Sequence, residues 1–333
     1  MNRITSRIPS TIFALCVAAA AAAAPAAQDA THEAPYPARA ITIVVPFPPG
    51  GTSDVLPRLI APHLQAALGV PIVVENHAGA SGIVGASYVA RSKPDGSVIM
   101  VATPPILAVN QWLYKKLPYS PEKDFAPITD AVETSNMIVV PASLPVRTLG
   151  ELVALAKARP GVLTFASGGN GTSHHLCGEM LKKTAGVDLI HVPYKGVGPA
   201  QIDLLGGRIT MMCDNISNVI EPVRSGQLRA LAVTAPERSA LAPDVPTTAE
   251  AGIPGLTASV WFSFVAPAGT PAAIVERLQG EIAKALRDPA VAERLHGLGL
   301  TVVADSPEHF GRFVSAEATR LGELVHASGA KAD

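Results

Sequence analysis

The chain has 333 residues, with 26 Lys or Arg against 27 Asp or Glu and a formal charge of −1. It has no Lys/Arg-rich run, and that excludes the classes that bind polyanions or anionic membrane through basic patches. Apolar residues make up 48% and charged residues 16%, a balance suited to parallel strands buried on both faces.

The first segment is set apart from the fold. Arg3 and Arg7 form a basic head, an apolar run follows over 12–24, and Ala24-Pro25-Ala26 is a small-x-small cleavage site, with Ala27 an equivalent end. This is the layout of a secretory signal peptide over 1–27. The run falls short of the roughly 20 apolar residues a membrane span needs. Cys16 follows the bulky Leu15, which argues against a lipidated cysteine. Cleavage leaves 306 residues (333 minus 27), enough for two domains. Without Arg3 and Arg7, 24 basic residues (26 minus 2) face 27 acids. No second apolar stretch reaches membrane length, so a soluble periplasmic protein is expected. Cys177 and Cys213 survive cleavage, too few for a disulfide framework.

From there strands and helices alternate. A β-branched strand over 41–46 runs through a Pro/Gly turn into a helix over 53–68, which Pro62 is expected to kink. A strand over 71–75, a helix over 81–91 and a strand over 97–102 complete a βαβαβ unit with a parallel sheet. A second series opens with the strand 138–141. Thr148 and Glu151 have capping-box spacing and start a helix that runs to Arg159. A strand over 163–166 then enters a glycine-rich turn, and a helix continues to Lys183. Strands over 189–192, 208–214 and 228–234 follow, with helices between them. The segment 235–255 carries four prolines and reads as irregular. A strand over 260–266 and helices over 271–287 and 307–326 close the chain.

Two turns each end a strand and open a helix. One is Pro46-Phe47-Pro48-Pro49-Gly50-Gly51-Thr52-Ser53-Asp54, the other Ser167-Gly168-Gly169-Asn170-Gly171-Thr172-Ser173. Free N–H groups of a first helical turn, with the helix dipole behind them, make a ready anion site. In open α/β sheets, ligands lie beyond the carboxyl ends of the strands, where both turns fall. The competing reading is a pair of ordinary capped turns. His174 stands where a dinucleotide fingerprint needs a third glycine, and no Gly-Lys-Ser/Thr follows either turn. Neither turn contains Lys or Arg, so an anion held there relies on backbone N–H, hydroxyls and water. That favours carboxylates over polyphosphates.

Catalytic residue types are present without a standard assembly. His174, His175, Cys177, Cys213 and Asp214 match no zinc spacing, so no metal or cofactor is expected. Gly79-Ala80-Ser81-Gly82-Ile83 fails the nucleophile-elbow pattern at its last position. A secreted α/β hydrolase using Ser167, His175 and Asp214 stays open as an alternative. Asp214 either lines a cleft or caps the following helix.

Taken together, these residues resemble the Bug family of extracytoplasmic solute receptors, the binding components of tripartite tricarboxylate transporters. The resemblance is carried by Tyr36-Pro37-Ala38-Arg39, the first turn, Glu75-Asn76-His77-Ala78-Gly79-Ala80-Ser81-Gly82, and the 167–171 turn with His175. It continues through His191-Val192-Pro193-Tyr194-Lys195-Gly196, Asp214-Asn215 and Ala266-Pro267-Ala268-Gly269-Thr270-Pro271. It implies an α/β, type II periplasmic-binding-protein fold of two αβ domains with a ligand cleft between them. The implied division is 28–137 plus 257–333 against 138–256. It further implies a monomeric receptor that delivers a small organic carboxylate to integral-membrane transporter subunits, and neither an enzyme nor a nucleic-acid binder. A receptor that senses the ligand without transport would have the same sequence. Backbone groups and waters of the first loop would hold a ligand carboxylate, with Phe47, Pro49, Gly50, Gly51, Thr52, Ser53 and Asp54 around it. Gly82 and Thr103 would add to the first domain's side of the cleft. The second domain would contribute Ser167, Gly168, Gly169, Asn170, Thr172, His175 and Asp214. Departures from the family pattern are His77-Ala78 for Arg-Pro, Ile83 and His174 for small residues, and Pro104-Pro105 after Thr103. The family usually has neither cysteine. A bridge between Cys177 and Cys213 needs their Cα atoms within about 7 Å, in a compartment that permits it.

Overall fold

The computed structural model describes Met1 and residues 36–328. The expected signal peptide therefore lies outside the described residues, apart from Met1. Strand β1 (Ile41–Val45) leads to helix α1 (Thr52–Leu68), β2 (Ile72–Asn76), α2 (Ile83–Ala90) and β3 (Val98–Ala102). β1 pairs in parallel with both β2 and β3. A wide helical turn over Pro105–Val109 and the short α3 (Asn110–Leu113) precede β4 (Phe125–Pro141). Then come α4 (Leu149–Ala158), β5 (Thr164–Ser167), α5 (Ser173–Ala185), β6 (Ile190–Pro193), α6 (Val197–Leu205), β7 (Met211–Asn215), α7 (Ile216–Arg224) and β8 (Leu228–Val233). The chain returns through β9 (Ser259–Pro267), α8 (Ala272–Arg287), α9 (Pro289–Gly297), β10 (Thr301–Val302) and α10 (Pro307–Ser328).

The strands lie in the order β2-β1-β3-β9-β4-β7-β5-β6, with β8 and β10 also paired to β4. At the centre, β4 and β9 run antiparallel from Phe125↔Pro267 to Ser135↔Ser259. At Asn136, β4 exchanges that partner for β7, opposite Asn215. Each side of this exchange has its own apolar cores. Ile43 and Val45 face one core with Leu56, Ile60 and Ile282, while Val44 between them faces another with Met100, Ile106, Trp261 and Phe310. Further along β4, Ile138 and Val140 pack with Phe165 and Leu181, and Met137 and Val139 pack with Leu204 and Val219. Alternate residues of one strand thus enter opposite layers, as the pleat requires.

Helix α1 runs as one element through Pro57 and Pro62. Two sequence expectations change. β4 has 17 residues, of which only 138–141 read as strand from sequence, because Pro127, Thr129, Asp130 and Glu133 interrupt the apolar pattern. The C-terminal segment satisfies several of these polar groups: Thr129 Oγ1 donates to the Asp305 carbonyl (2.9 Å), and the Asp130 N–H donates to Asp305 Oδ1 (2.8 Å). Pro127, which cannot donate to the ladder, sits at a register shift. Helix α9 was not expected either, although Pro289 sits at its first position and Asp288 Oδ1 accepts from the Ala290 N–H. The capping box at α4 forms with a shift: Thr148 Oγ1 accepts from Glu151 N–H, while Glu151 reaches back to the N–H of Arg147.

Cys177 on α5 and Cys213 on β7 form a disulfide with Cα atoms 6.2 Å apart, across a separation of 36 residues. Closing a loop of that length stabilises by about 3–4 kcal/mol in the chain-entropy picture. The expected outcome is no free thiol from either cysteine in the unfolded, unreduced protein. The Cys177→Ala/Cys213→Ala variant should melt several degrees lower, and equal melting temperatures would show that the bridge adds nothing.

Candidate functional site

The first loop is organised by Asp54. Its Oδ2 accepts the Gly50 N–H (3.1 Å), and its Oδ1 accepts from Arg58 Nε (3.0 Å) and Asn76 Nδ2 (2.9 Å). Asn76 Nδ2 also donates to the Phe47 carbonyl (3.0 Å). Burial pushes the Asp54 carboxyl up, but the bonds from Arg58, Asn76 and Gly50 outweigh it and hold the group below its ordinary range. Asp54 therefore shapes the loop from behind as a carboxylate. Gly50 has φ +99°, a conformation that side chains disfavour. The α1 cap is Gly51, without a side-chain cap bond, so the first N–H groups of the helix keep no intrahelical acceptor.

The second loop uses many of its donors on itself. The Gly171 N–H donates to His175 Nδ1 (3.0 Å), Thr172 Oγ1 donates to the Gly169 carbonyl (2.7 Å), and the Gly169 N–H donates to Ser167 Oγ (3.2 Å). Ser167 is fully buried and bonds His191 Nε2 at 2.7 Å. His191 in turn stacks between His175 and Phe165, with ring centroids 4.1 and 4.8 Å away. Asp214 is also fully buried. Its Oδ1 accepts from Asn215 N–H (2.7 Å) and Asn218 Nδ2 (2.8 Å), and its Oδ2 from Gln201 Nε2 (3.0 Å).

Between the two loops lies a narrow cleft with about 60 Å³ of room for water-sized molecules. Of the residues expected at the site, Phe47, Pro49, Gly51, Thr52, Ser53, Thr103, Gly168 and Thr172 line it. Gly50, Asp54, Gly82, Ser167, Gly169, Asn170, His175 and Asp214 do not. Asp54, Ser167, His175 and Asp214 serve behind the wall, and Gly82 packs under Phe47, where an added Cβ would come within 3.5 Å of the ring. Sequence reasoning missed Pro48, Pro105, Ser173, His174, Gly196, Val197, Asn215, Asn218, Val260 and Phe262. Two of these were within reach: Ser173 and His174 occupy the first turn of α5, directly after the loop. Val260 and Phe262 come from β9 and give no local signal.

The cleft is already bridged. Thr52 Oγ1 and Ser217 Oγ lie 2.7 Å apart, and Thr52 Oγ1 donates to Asn218 Oδ1 at 3.3 Å. Gly196 approaches Pro48 so closely that a Cβ there would meet its ring at 2.8 Å. No Lys or Arg lines the cleft. The hydrolase triad is not assembled: Ser167 bonds His191, His175 bonds Gly171, and Asp214 lies beside His174, with Nε2 to Oδ1 at 3.0 Å. Among the described residues no cluster of three or more His, Cys, Asp or Glu could hold a metal ion.

The stacked histidines give a pH dependence. Burial, then His175 and Lys182, pushes His191 down to about 3. Burial, then Lys182, pushes His175 down to about 4. Their folded values lie below the unfolded value of about 6.5, so unfolding takes up protons. The stability that the neutral pair permits is complete above about pH 6.5 and is lost as pH falls toward 4 and 3. Melting temperature should fall over that window, and more gently in His191→Asn. An identical slope in the variant would remove His191 as a cause.

Comparisons with known proteins follow the same lines. Residues 56–330 match the family described as tripartite tricarboxylate transporter family receptor. BugT of Bordetella pertussis is 40% identical over 297 residues, covering 89% of this chain and 91% of BugT. An R. palustris protein solved with adipate is 36% identical with a TM-score of 0.86, covering 89% of this chain and 99% of that one. MatC from Rhodopseudomonas palustris, solved with bound malate, is 34% identical with a TM-score of 0.83, covering 87% and 100%. The α/β architecture is that of these solute-binding proteins, two αβ halves with a cleft between them.

Proposed function

The chain belongs to the tripartite tricarboxylate transporter receptor family, and from that premise we propose that it captures a small carboxylate in the periplasm and hands it unchanged to integral-membrane transporter subunits. The carrying observation is the cleft itself. An uncapped helix N-terminus at Gly51 opens into a wall of hydroxyls, amides and apolar side chains that has no Lys or Arg. Backbone N–H groups with the α1 dipole suit one carboxylate and would hold a polyphosphate poorly. Relatives solved with adipate and malate bind that chemical class.

The receptor works as a monomer without cofactor. Its first domain is 28–137 with 257–333, and its second is 138–256. This division is supported by the partner exchange of β4 at Asn136 and by the separate apolar cores on either side. Closure is a hinge motion about the crossing strands that a bound ligand stabilises by bridging both sides. Signal-peptide cleavage after Ala26 or Ala27 releases it into the periplasm.

A thermal-shift screen over mono-, di- and tricarboxylates and aromatic acids tests the reading. At least one acid should raise the melting temperature and be recovered unchanged, and turnover of a bound acid would favour an enzyme. Gly51→Pro tests the anchor. The native φ of −87° is near the value proline imposes, so the substitution chiefly removes one donor. Loss of a hydrogen bond to an ion should weaken binding by about 10- to 100-fold. Undiminished affinity would show that the first loop is only a turn. Thr52→Val removes the neutral bridge to Ser217 and should cost a smaller factor, about 2- to 10-fold.

A further inference from the structure

Asp130 and Glu133 sit on the crossing strand β4, opposite Ser263 and Trp261 of β9. A register shift at Ala131 puts an extra residue between them. Both acids therefore share the face on which Trp261 lies. Asp130 is 2% exposed, and its side chain is bonded to that of Glu133. Two carboxylates do not bond to each other, so one carries a proton and donates it. Asp130 is that one: its Oδ1 is buried without a partner, where an ion would be costly. Burial, then the charges of Glu133 and Asp305, pushes its carboxyl well above the ordinary range. Burial raises Glu133 as well, against the pull of the bond from Asp130.

The charges acting on the pair are themselves acidic, from Asp305 and Glu317. Asp305 follows β10, and its Oδ1 accepts the Asp130 N–H while its Oδ2 lies 2.8 Å from His309 Nδ1. Glu317 is on α10 and is held by Arg320 at 2.6 and 2.8 Å. Arg287 of α8 donates to the Ala304 carbonyl, beside Asp305. Phe310, Phe313 and Glu317 lie on one face of α10, and both aromatic rings meet Trp261 edge-on, at 6.0 and 5.7 Å. That face therefore covers the pair. Strand β4 is hydrogen-bonded on both edges here, to β9 and to β10. It cannot yield, whereas α10 rests on the sheet by one face. Leu321 and Val325 of α10 share a core with Leu176 of α5, so this helix touches both halves of the molecule.

We propose that the proton shared by Asp130 and Glu133 latches α10 to the crossing strand, and that its loss as pH rises frees the helix. Losing it to solvent base puts a second negative charge on β4, under Glu317 and beside Asp305. The sign follows from linkage: the docked state binds a proton that the released state does not. Docking is complete below about pH 4, the ordinary carboxyl value, and weakens as pH rises toward the raised folded values.

The test is hydrogen exchange of α10 amides, as protection factors, from about pH 6.5 to 9, where the stacked histidines are already neutral. Opening with release of one proton lowers protection by about 10-fold per pH unit. The chain's two tryptophans report the same event. Trp261 packs on Phe310 and Phe313, and Trp112 Nε1 donates to the Ala318 carbonyl at 3.1 Å, so emission should shift to the red over the same range. Asp130→Asn keeps a donor to Glu133 and should remove both slopes. The double variant Asp130→Asn/Glu133→Gln covers the case in which the single variant fails to fold. Wild-type α10 protection that does not change with pH overturns the latch. The same slope in whichever variant folds removes the pair as its cause. A loss shared equally by β4 and β9 amides would be global unfolding and overturns it too.

Discussion

Two strands hold the protein's parts in relation to each other. β4 and β9 pair antiparallel from Phe125 to Ser135, and at Asn136 β4 passes to β7. The junction is locked by Thr234, whose N–H and Oγ1 both donate to the Asn136 carbonyl, with Oγ1 also reaching the Ala258 carbonyl at 2.6 Å. Every element that shapes the cleft hangs from this seam. The parallel strands β1 and β3 end on one side of it and β5 and β7 on the other, so the loops after their carboxyl ends face each other. Val260 and Phe262 of β9 line the cleft directly, which makes the crossing strand part of the site as well as its support.

The two loops are built on different principles. The first is bent by Asp54 from behind, and the bonds that shape it are made by a carboxylate that is itself satisfied by Arg58 and Asn76. This leaves the front of the loop, Gly51 to Ser53, without a side-chain cap. The second loop is rigid because it bonds to itself and rests on the stack of His175, His191 and Phe165. An open helix end lies opposite a self-satisfied loop, so an anion held at that end would owe its affinity to one side of the cleft. Selectivity must then come from side chains on the other side. His174, Asn215 and Asn218 are the polar ones that the second half brings there, along with the hydroxyls of Thr172 and Ser173.

Much of this was legible in the sequence, and the failures have physical causes. The near-continuous apolar runs at 41–45 and 138–141 marked strands because each has core on both faces. The glycine-rich turns marked the cleft because backbone must come close there. β4 was hidden because polar residues interrupt its apolar pattern, and the Thr129 hydroxyl and Asp130 N–H find their acceptor in Asp305, about 175 residues away in sequence, where no local pattern carries that information. Asp54, Ser167, His175 and Asp214 look like site residues by type and position. They lie behind the lining of the cleft, since sequence shows which residues are near a loop and not which way they face. His174 reads from sequence as a departure from a family pattern, and it stands in the wall while its neighbour His175 turns to the loop behind.

The pair of cysteines and the histidine beside them are all departures from what the family resemblance implies, and the structure brings them together. Cys177 follows His174 by three residues on α5, and Cys213 immediately precedes Asp214 on β7. A covalent tie at that point fixes the first turn of α5 against the end of β7. Without it, the contact between a buried imidazole and a buried carboxylate would depend on packing alone, and α5 could withdraw the ring from a position where it lacks a hydrogen bond. Helix α5 packs tightly here, with Gly178 so close to Phe165 that a Cβ would meet the ring at 2.2 Å. Bridge and packing together leave the ring little room to move.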